Sequence, residues 1–181
     1  MIDIYQSVKS NPPRNTPWWC KDEKAWLGCG YYFWEHYIDN AHWWGHLWYT
    51  RKGLDYKIYK SSYTKNEFTC FDLIDNYKHK DTLKDVIELT KKRNLYDAKT
   101  TTIGRIIAFM IEIGIFDFKA TRMQHPSRSL NNKFSDSINI DNKQRFDLTP
   151  QIQVCFYDMS LITDGGYSLI YPEQYPEGYN I

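Results

Sequence analysis

"WLGCGYYFWEHYIDNAHWWGH", Trp26 to His46, decides how this chain is read, because a strand-like pattern gives way to a helical one inside it. From Gly30 the run Tyr31, Tyr32, Phe33 and Trp34 supplies strand-forming rings to both faces, Tyr31 and Phe33 to one and Tyr32 and Trp34 to the other. Beyond Glu35 and His36 the period changes. Ile38, Ala41, Gly45 and Trp48 fall at helical spacing with Trp44 beside them, which predicts an amphipathic helix over 37–49. The rings admit two readings, a local core or a pocket for a flat ligand, and the alternation allows one of each. Gly28 and Gly30 are open to two readings as well, a tight turn or a phosphate-cradling loop.

Outward from this unit, "IDIYQS" (Ile2 to Ser7) alternates as an opening strand, and "NPPRNTP" (Asn11 to Pro17) is a loop because proline removes an amide donor and restrains its predecessor. Downstream, 56–63 and 68–74 read as strands, the second carrying Asp72 and Asp75. The Thr82 to Asp85 spacing of a capping box starts a second helix over 82–90. Ile103, Ile106, Ile107, Met110 and Ile111 mark a third, closed by Gly114. Residues 115–122 read as a strand with Arg122 at its tip, and 123–150 as a long polar, irregular connection. In "QIQVCFY" (Gln151 to Tyr157), Ile152, Val154 and Phe156 point one way, and Gln151, Gln153, Cys155 and Tyr157 the other. The tail 158–181 is expected to lie on the surface as an extended arm. Strands and helices mix along the whole chain, so the fold class is α+β, a single domain over 1–181.

Bulk properties leave a nucleic-acid partner possible but not indicated, and point to no membrane. With 181 residues the chain can bury a core without disulfide or metal staples. Charge is balanced at 23 Lys+Arg against 22 Asp+Glu, so nothing general draws it to nucleic acid or membrane. The apolar run from Ile103 to Phe116 contains Arg105 and Glu112 and is too short to span a bilayer. Cys20, Cys29, Cys70 and Cys155 form no C-x-x-C pair, and the N-terminus carries no signal pattern, so reduced thiols and a cytoplasmic location are expected. His42 and His46 sit four apart on the predicted helix, but Trp43-Trp44-Gly45 between them lacks the glutamate of the zinc hydrolase motif, and no metal is expected. Aromatic content is 17%, and all seven tryptophans lie between Trp18 and Trp48, which directs attention back to the opening segment.

The stretch "WLGCGYYFWEH" resembles the W-L-G-x-G-x-Y-F-W-E signature of a bacterial family related to the ADP-ribosyltransferase superfamily. Ala41 and Trp44 on the following helix, "FKATR" ending in Arg122, and "QIQVCFYDMSLI" match in the same order. The resemblance implies a split mixed or antiparallel β-sheet with flanking helices that clamps NAD as a substrate, and transfer of ADP-ribose to a macromolecular acceptor by a toxin or defence effector. It assigns Tyr5, Gln6 and Ser7 to the first-strand motif, Gln6 standing where the pattern has His. Gly30, Tyr31, Tyr32, Phe33 and Trp34 would form the middle strand of the NAD site. Gln151 or Gln153 would stand where many relatives have the glutamate that holds the nicotinamide ribose. On residue type, Arg122, followed by His125, is open to two readings, a bidentate donor to a pyrophosphate or a member of a surface ion pair.

Cleavage of the nicotinamide–ribose bond passes through an oxocarbenium-like state, so the ribose must be held, positive charge stabilised and the leaving ring stacked. Glu35, the single carboxylate within the aromatic signature, is the candidate for charge stabilisation, with Gln153 as its catalytic partner at the ribose. Equally, Glu35 could serve the start of the helix alone. The neutral Gln6 and Gln153 give a second expectation, a catalytically inactive domain of the same type that binds a nucleotide or another protein.

Overall fold

The computed structural model describes residues 1–14, 16–126, 137–139, 145–162 and 166–172, with the backbone path alone for 137–139 and 145–147. Ten strands and three α-helices alternate along it. β1 (Ile2–Lys9), β2 (Trp19–Cys20) and β3 (Gly30–Glu35) precede α1 (Ile38–Trp48). β4 (Tyr56–Tyr63) and β5 (Cys70–Asp72) lead to α2 (Tyr77–Lys92) and α3 (Ile103–Glu112). β6 (Ala120–Gln124), β7 (Ser137–Asn139), β8 (Arg145–Asp147), β9 (Ile152–Phe156) and β10 (Ser168–Tyr171) follow.

Eight strands form one mixed sheet in the order β10-β4-β1-β3-β9-β6-β5, with β2 paired to β3 off this path. β5 and β6 run parallel and the remaining pairs antiparallel. The mixed α+β class expected from the sequence is thus present. β3 and β9 pair directly, Tyr31 to Trp34 with Phe156 to Gln153, so the NAD clamp that the resemblance implies does not lie between these two strands. The pairing of β1 with β3 is short by comparison. β1 pairs with β4 from Ile2–Tyr63 to Lys9–Tyr56, but with β3 only at Ile4–Glu35 and Tyr5–Trp34. Past Tyr5 the two strands diverge and β2 takes the vacated edge of β3.

Three apolar clusters hold the layers. Ile4, Phe33, Tyr63, Val154 and Phe156 pack on one face of the sheet. On the other, α1 lays Ala41 and Trp43 against Tyr5, Trp34 and Ile58, while α2 and α3 cover Phe71 and Leu73 with Val86, Ile106 and Met110. Close approach explains the signature glycines. A Cβ on Gly30 would overlap Cys155 Sγ and sit 2.9 Å from the Phe156 carbonyl oxygen, and one on Gly45 would overlap the Tyr56 ring. Gly28, at φ +85°, abuts Gly104, whose amide donates to the Trp26 carbonyl at 2.7 Å. The tight-turn reading therefore accounts for Gly28, and backbone packing for Gly30.

Several boundaries differ from expectation. α2 begins at Tyr77, capped by the Asn76 side chain accepting from the His79 amide, while Thr82 lies inside the helix and donates to the Lys78 carbonyl. β6 begins at Ala120 and runs past Arg122, because the Lys119 and Ala120 amides bend to the Thr69 carbonyl and residues before them pack Phe116 and Phe118 on Phe71. Arg122 is therefore mid-strand. Part of the expected surface arm, Ser168–Tyr171, is zipped onto β4 as an edge strand. Residues 173–181, and most of the connection expected over 123–150, lie outside the described residues; within that connection β7 and β8 pair antiparallel.

Candidate functional site

Side-chain alternation divides the residues assigned to the site between two faces of the sheet. Register places Phe33, Val154 and Arg122 in one row, with Glu35 beside Ile4 on the same face as Gln6 and Tyr31. Tyr5, Trp34 and Gln153 form a row on the other face, with Ser7 and Tyr32. Glu35 and Gln153 therefore do not converge on one ligand. The same alternation separates Arg122 from His125, whose ring packs against Trp34 on the opposite face.

On the first face lies a buried ion network. Glu35 is 0% and Arg122 6% exposed. Arg122 Nε donates to both Glu35 carboxylate oxygens at 2.9 Å, and its Nη1 donates to Asp72 at 3.1 Å and to Asp75 at 2.7 Å. The Tyr63 hydroxyl donates to Glu35 Oε1, and Lys65 Nζ bridges Asp72 and Asp75 at 3.0 and 2.9 Å. Burial alone would raise the Asp72 pKa, but the Ile74 and Asp75 amides, Lys65 and Arg122 outweigh it and hold the carboxyl at about 2. Burial likewise works against the Arg122 cation, yet Glu35 and Asp72 keep it firmly protonated. Arg122 Nε and Nη1 are thus taken up by carboxylates. Arg122 is accordingly not available to a pyrophosphate, and Glu35 is a counter-ion here, with no side-chain cap on α1.

Beside this network opens a cleft of about 550 Å³ lined by Lys65, Glu67, Cys70, Asp72, Asp75 and Tyr77. Among the lining residues Cys70 is buried, which pushes its thiol up to about 12 and keeps it protonated at neutral pH.

The second face carries a tryptophan shell. The His125 ring lies 5.2 Å from Trp26, 5.3 Å from Trp34, 5.7 Å from Trp43 and 6.0 Å from Trp44, all steeply inclined to it. Its backbone amide donates to the Gln151 carbonyl at 2.7 Å, which ties the end of β6 to the start of β9. Burial lowers the imidazole to about 4, so His125 is neutral at pH 7. Gln153, 3% exposed, accepts from the Trp26 indole N–H at 2.7 Å. Because that indole nitrogen is only a donor, the carboxamide orientation is settled. Asn40, fully buried at the start of α1, donates to the Pro150 carbonyl at 3.2 Å, and its Oδ1 has no partner among the described residues. Gln153 and His125 are thus buried polar groups set among indoles.

At the fork between β1 and β3, Gln6 is 4% exposed and acts as a clasp. Its Nε2 donates to the carbonyls of Trp18 and Tyr32 at 3.0 and 3.1 Å, and its Oε1 accepts from the Trp18 amide at 2.7 Å and the Tyr167 hydroxyl at 2.8 Å. Tyr5 is core beneath α1, and Ser7 faces Gly45 with its Oγ unpartnered among the described residues. The Tyr32 hydroxyl donates to the Gly28 carbonyl at 2.6 Å and accepts from the Leu27 amide, and burial raises its pKa. Tyr31 meets Trp19 edge to face, and Phe33 meets Phe156.

Sequence reasoning missed Trp26 and His125 as centres of the shell, and Tyr63 and Lys65 as members of the ion network. A signal existed for the network. An arginine expected on a strand needs carboxylates once buried, and "FDLID" offered two. No family model, curated protein or solved structure matches the chain.

Proposed function

We propose that this chain binds NAD with its nicotinamide end against the tryptophan shell and transfers ADP-ribose from it to a macromolecule, as an ADP-ribosyltransferase-like domain. The observation that carries the reading is Gln153, held by Trp26 at 2.7 Å among indoles that also surround a neutral His125. The nicotinamide of NAD is a cationic ring, and indole faces attract such cations. The same faces favour the positive charge that develops on the ribose as the bond breaks. Gln153 Oε1 keeps a second lone pair for a ribose hydroxyl. The two-position seam between β1 and β3 supports the split-sheet form of the fold.

A second reading, a domain that binds NAD without turning it over, is favoured by the engagement of Glu35 on the far face and of Gln6 at the fork. One assay separates the two. With labelled NAD and cell lysate, the first reading expects label transfer and nicotinamide release, reduced roughly a hundredfold in Gln153→Ala, the loss of about 2.7 kcal/mol. Quenching of tryptophan fluorescence by NAD without nicotinamide release selects the second. Neither signal at millimolar NAD ends both.

A further inference from the structure

We propose that the surface where the end of α1 meets the loop after β1 binds single-stranded nucleic acid, Trp18 and Trp48 stacking on bases while Arg14 and Lys52 meet the phosphates beside them. The inference does not rest on the NAD reading, because it concerns binding alone and uses neither Gln153 nor the ion network. Trp18 and Trp48 are each 45% exposed, although an indole has a large apolar area to bury. A cation stands over each ring. The Arg14 guanidinium is 3.7 Å from the Trp18 ring centre, and Lys52 Nζ is 4.7 Å from that of Trp48, which also leans on Trp44 at 5.3 Å. Such pairs suit a nucleotide, whose base takes the open part of the ring while the cation on its flexible stem reaches the phosphate.

The two pairs belong to one surface. Tyr49, next to Trp48, sets its hydroxyl beside the Lys9 backbone at the end of β1 and within electrostatic reach of Arg14. The Lys52 amide donates to the Tyr49 carbonyl at 2.8 Å, which folds the 3₁₀ turn Thr50–Lys52 back onto the helix end, and the Ser10 amide donates to the Asp55 carbonyl at 2.9 Å. Residues 9–19 and 48–57 carry Lys9, Arg14, Arg51, Lys52 and Lys57 against a single carboxylate, Asp55, in a chain whose overall charge is +1. None of these cations is in an ion pair among the described residues. Arg14 Nε is moreover buried with no hydrogen-bond partner among the described residues. A buried guanidinium N–H without an acceptor is unfavourable, and a phosphate oxygen would satisfy it.

Chemistry separates this occupant from its rivals. A duplex keeps its base faces stacked on one another and closed to indoles, whereas a single strand presents them. A bilayer takes up indoles as part of a continuous apolar face, and here a cation stands over each ring. An acidic peptide would meet the cations but leave both indoles in water.

Fluorescence anisotropy of a labelled oligothymidylate of about 12 nucleotides, titrated with the full chain in the absence of NAD, tests this. Saturable binding is expected, weakened at least about fivefold in Trp18→Ala and in Trp48→Ala, and at least about tenfold weaker for the matching duplex. Between about 50 and 200 mM salt, the slope of log affinity against log salt should become shallower by about 0.7 in Arg14→Gln and in Lys52→Gln. Lys91→Gln, on α2 and paired with Glu88, should leave affinity and slope as they are. The proposal is overturned by no saturable binding at the lowest salt, by equal affinity for the duplex, or by unchanged affinity in both folded tryptophan variants. It is overturned equally if phosphatidylglycerol vesicles or polyglutamate compete as well as unlabelled oligothymidylate. Where the tryptophan variants do not fold, Lys52→Gln decides, since Lys52 is exposed, and an unchanged salt slope there overturns the proposal too.

Discussion

A guanidinium taken out of water needs its charge matched nearby, and Arg122 meets Glu35, Asp72 and Asp75 within 3.1 Å. Arg122→Met removes the cation but leaves Glu35 buried and ionisable, so a loss of about 3–5 kcal/mol is expected from the urea midpoint. Under the proposed transfer reaction, turnover per folded molecule should change little, since Arg122 faces away from Gln153. His125 makes the opposite case, a titratable group kept neutral by burial at about 4. Between the unfolded value near 6.5 and that folded value the unfolded chain binds the extra proton, so stability falls as pH drops. The contribution is complete above about pH 6.5, declines by about 3 kcal/mol down to about pH 4, and is flat below. Urea titrations from pH 7 to 4 should show that decline, shallower in His125→Phe. His79, also lowered by burial, adds to the slope with the same sign and retains part of it in the variant. At this scale the identities of Glu35, Gln6 and Gln153 were legible as candidates, but their partners were not. A side chain's hydrogen bonds depend on what folding brings beside it.

Elements were the most readable level. β4 is Tyr56–Tyr63, the span its alternation predicts, and α1 and α3 form where their apolar spacing predicts, although Trp48 and Ile111 of those stripes are exposed and Trp43 is buried in their place on α1. The exception, α2, shows where local chemistry competes. Thr82 and Asp85 have capping-box spacing, yet Asn76 further upstream provides an N-cap that leaves room for His79 to accept the Asp72 amide at 2.9 Å. Asn76→Ala should lower stability by about 1 kcal/mol and Thr82→Ala by less than about 0.5, as read from thermal midpoints. A larger effect at Thr82 would restore the later start. β10 was missed for a different reason. Its pairing is with β4, and an edge strand far along the chain has no local signature beyond a few apolar residues.

At the scale of the whole molecule the seam between β1 and β3 is short, Ile4–Glu35 and Tyr5–Trp34 against a full-length ladder between β1 and β4. Native-state hydrogen exchange should therefore resolve two protected units, β10-β4-β1 and β3-β9-β6-β5, with different opening free energies. Exchange of all these strands as one unit would mean that α1, which touches both sides, erases the seam.

Alternation and helical spacing within Trp26 to His46, read from residue order alone, determined that a two-faced strand runs into an amphipathic helix, and the wider pattern determined a mixed α+β class. Both are local properties, set by backbone geometry and the period of apolar side chains. Only the tertiary structure decided that Glu35 faces Arg122 and Tyr63 while Gln153 faces Trp26 and His125. Which strand lies beside which, and in what register, is settled by long-range burial and charge pairing, and a shift of one residue would exchange the two faces.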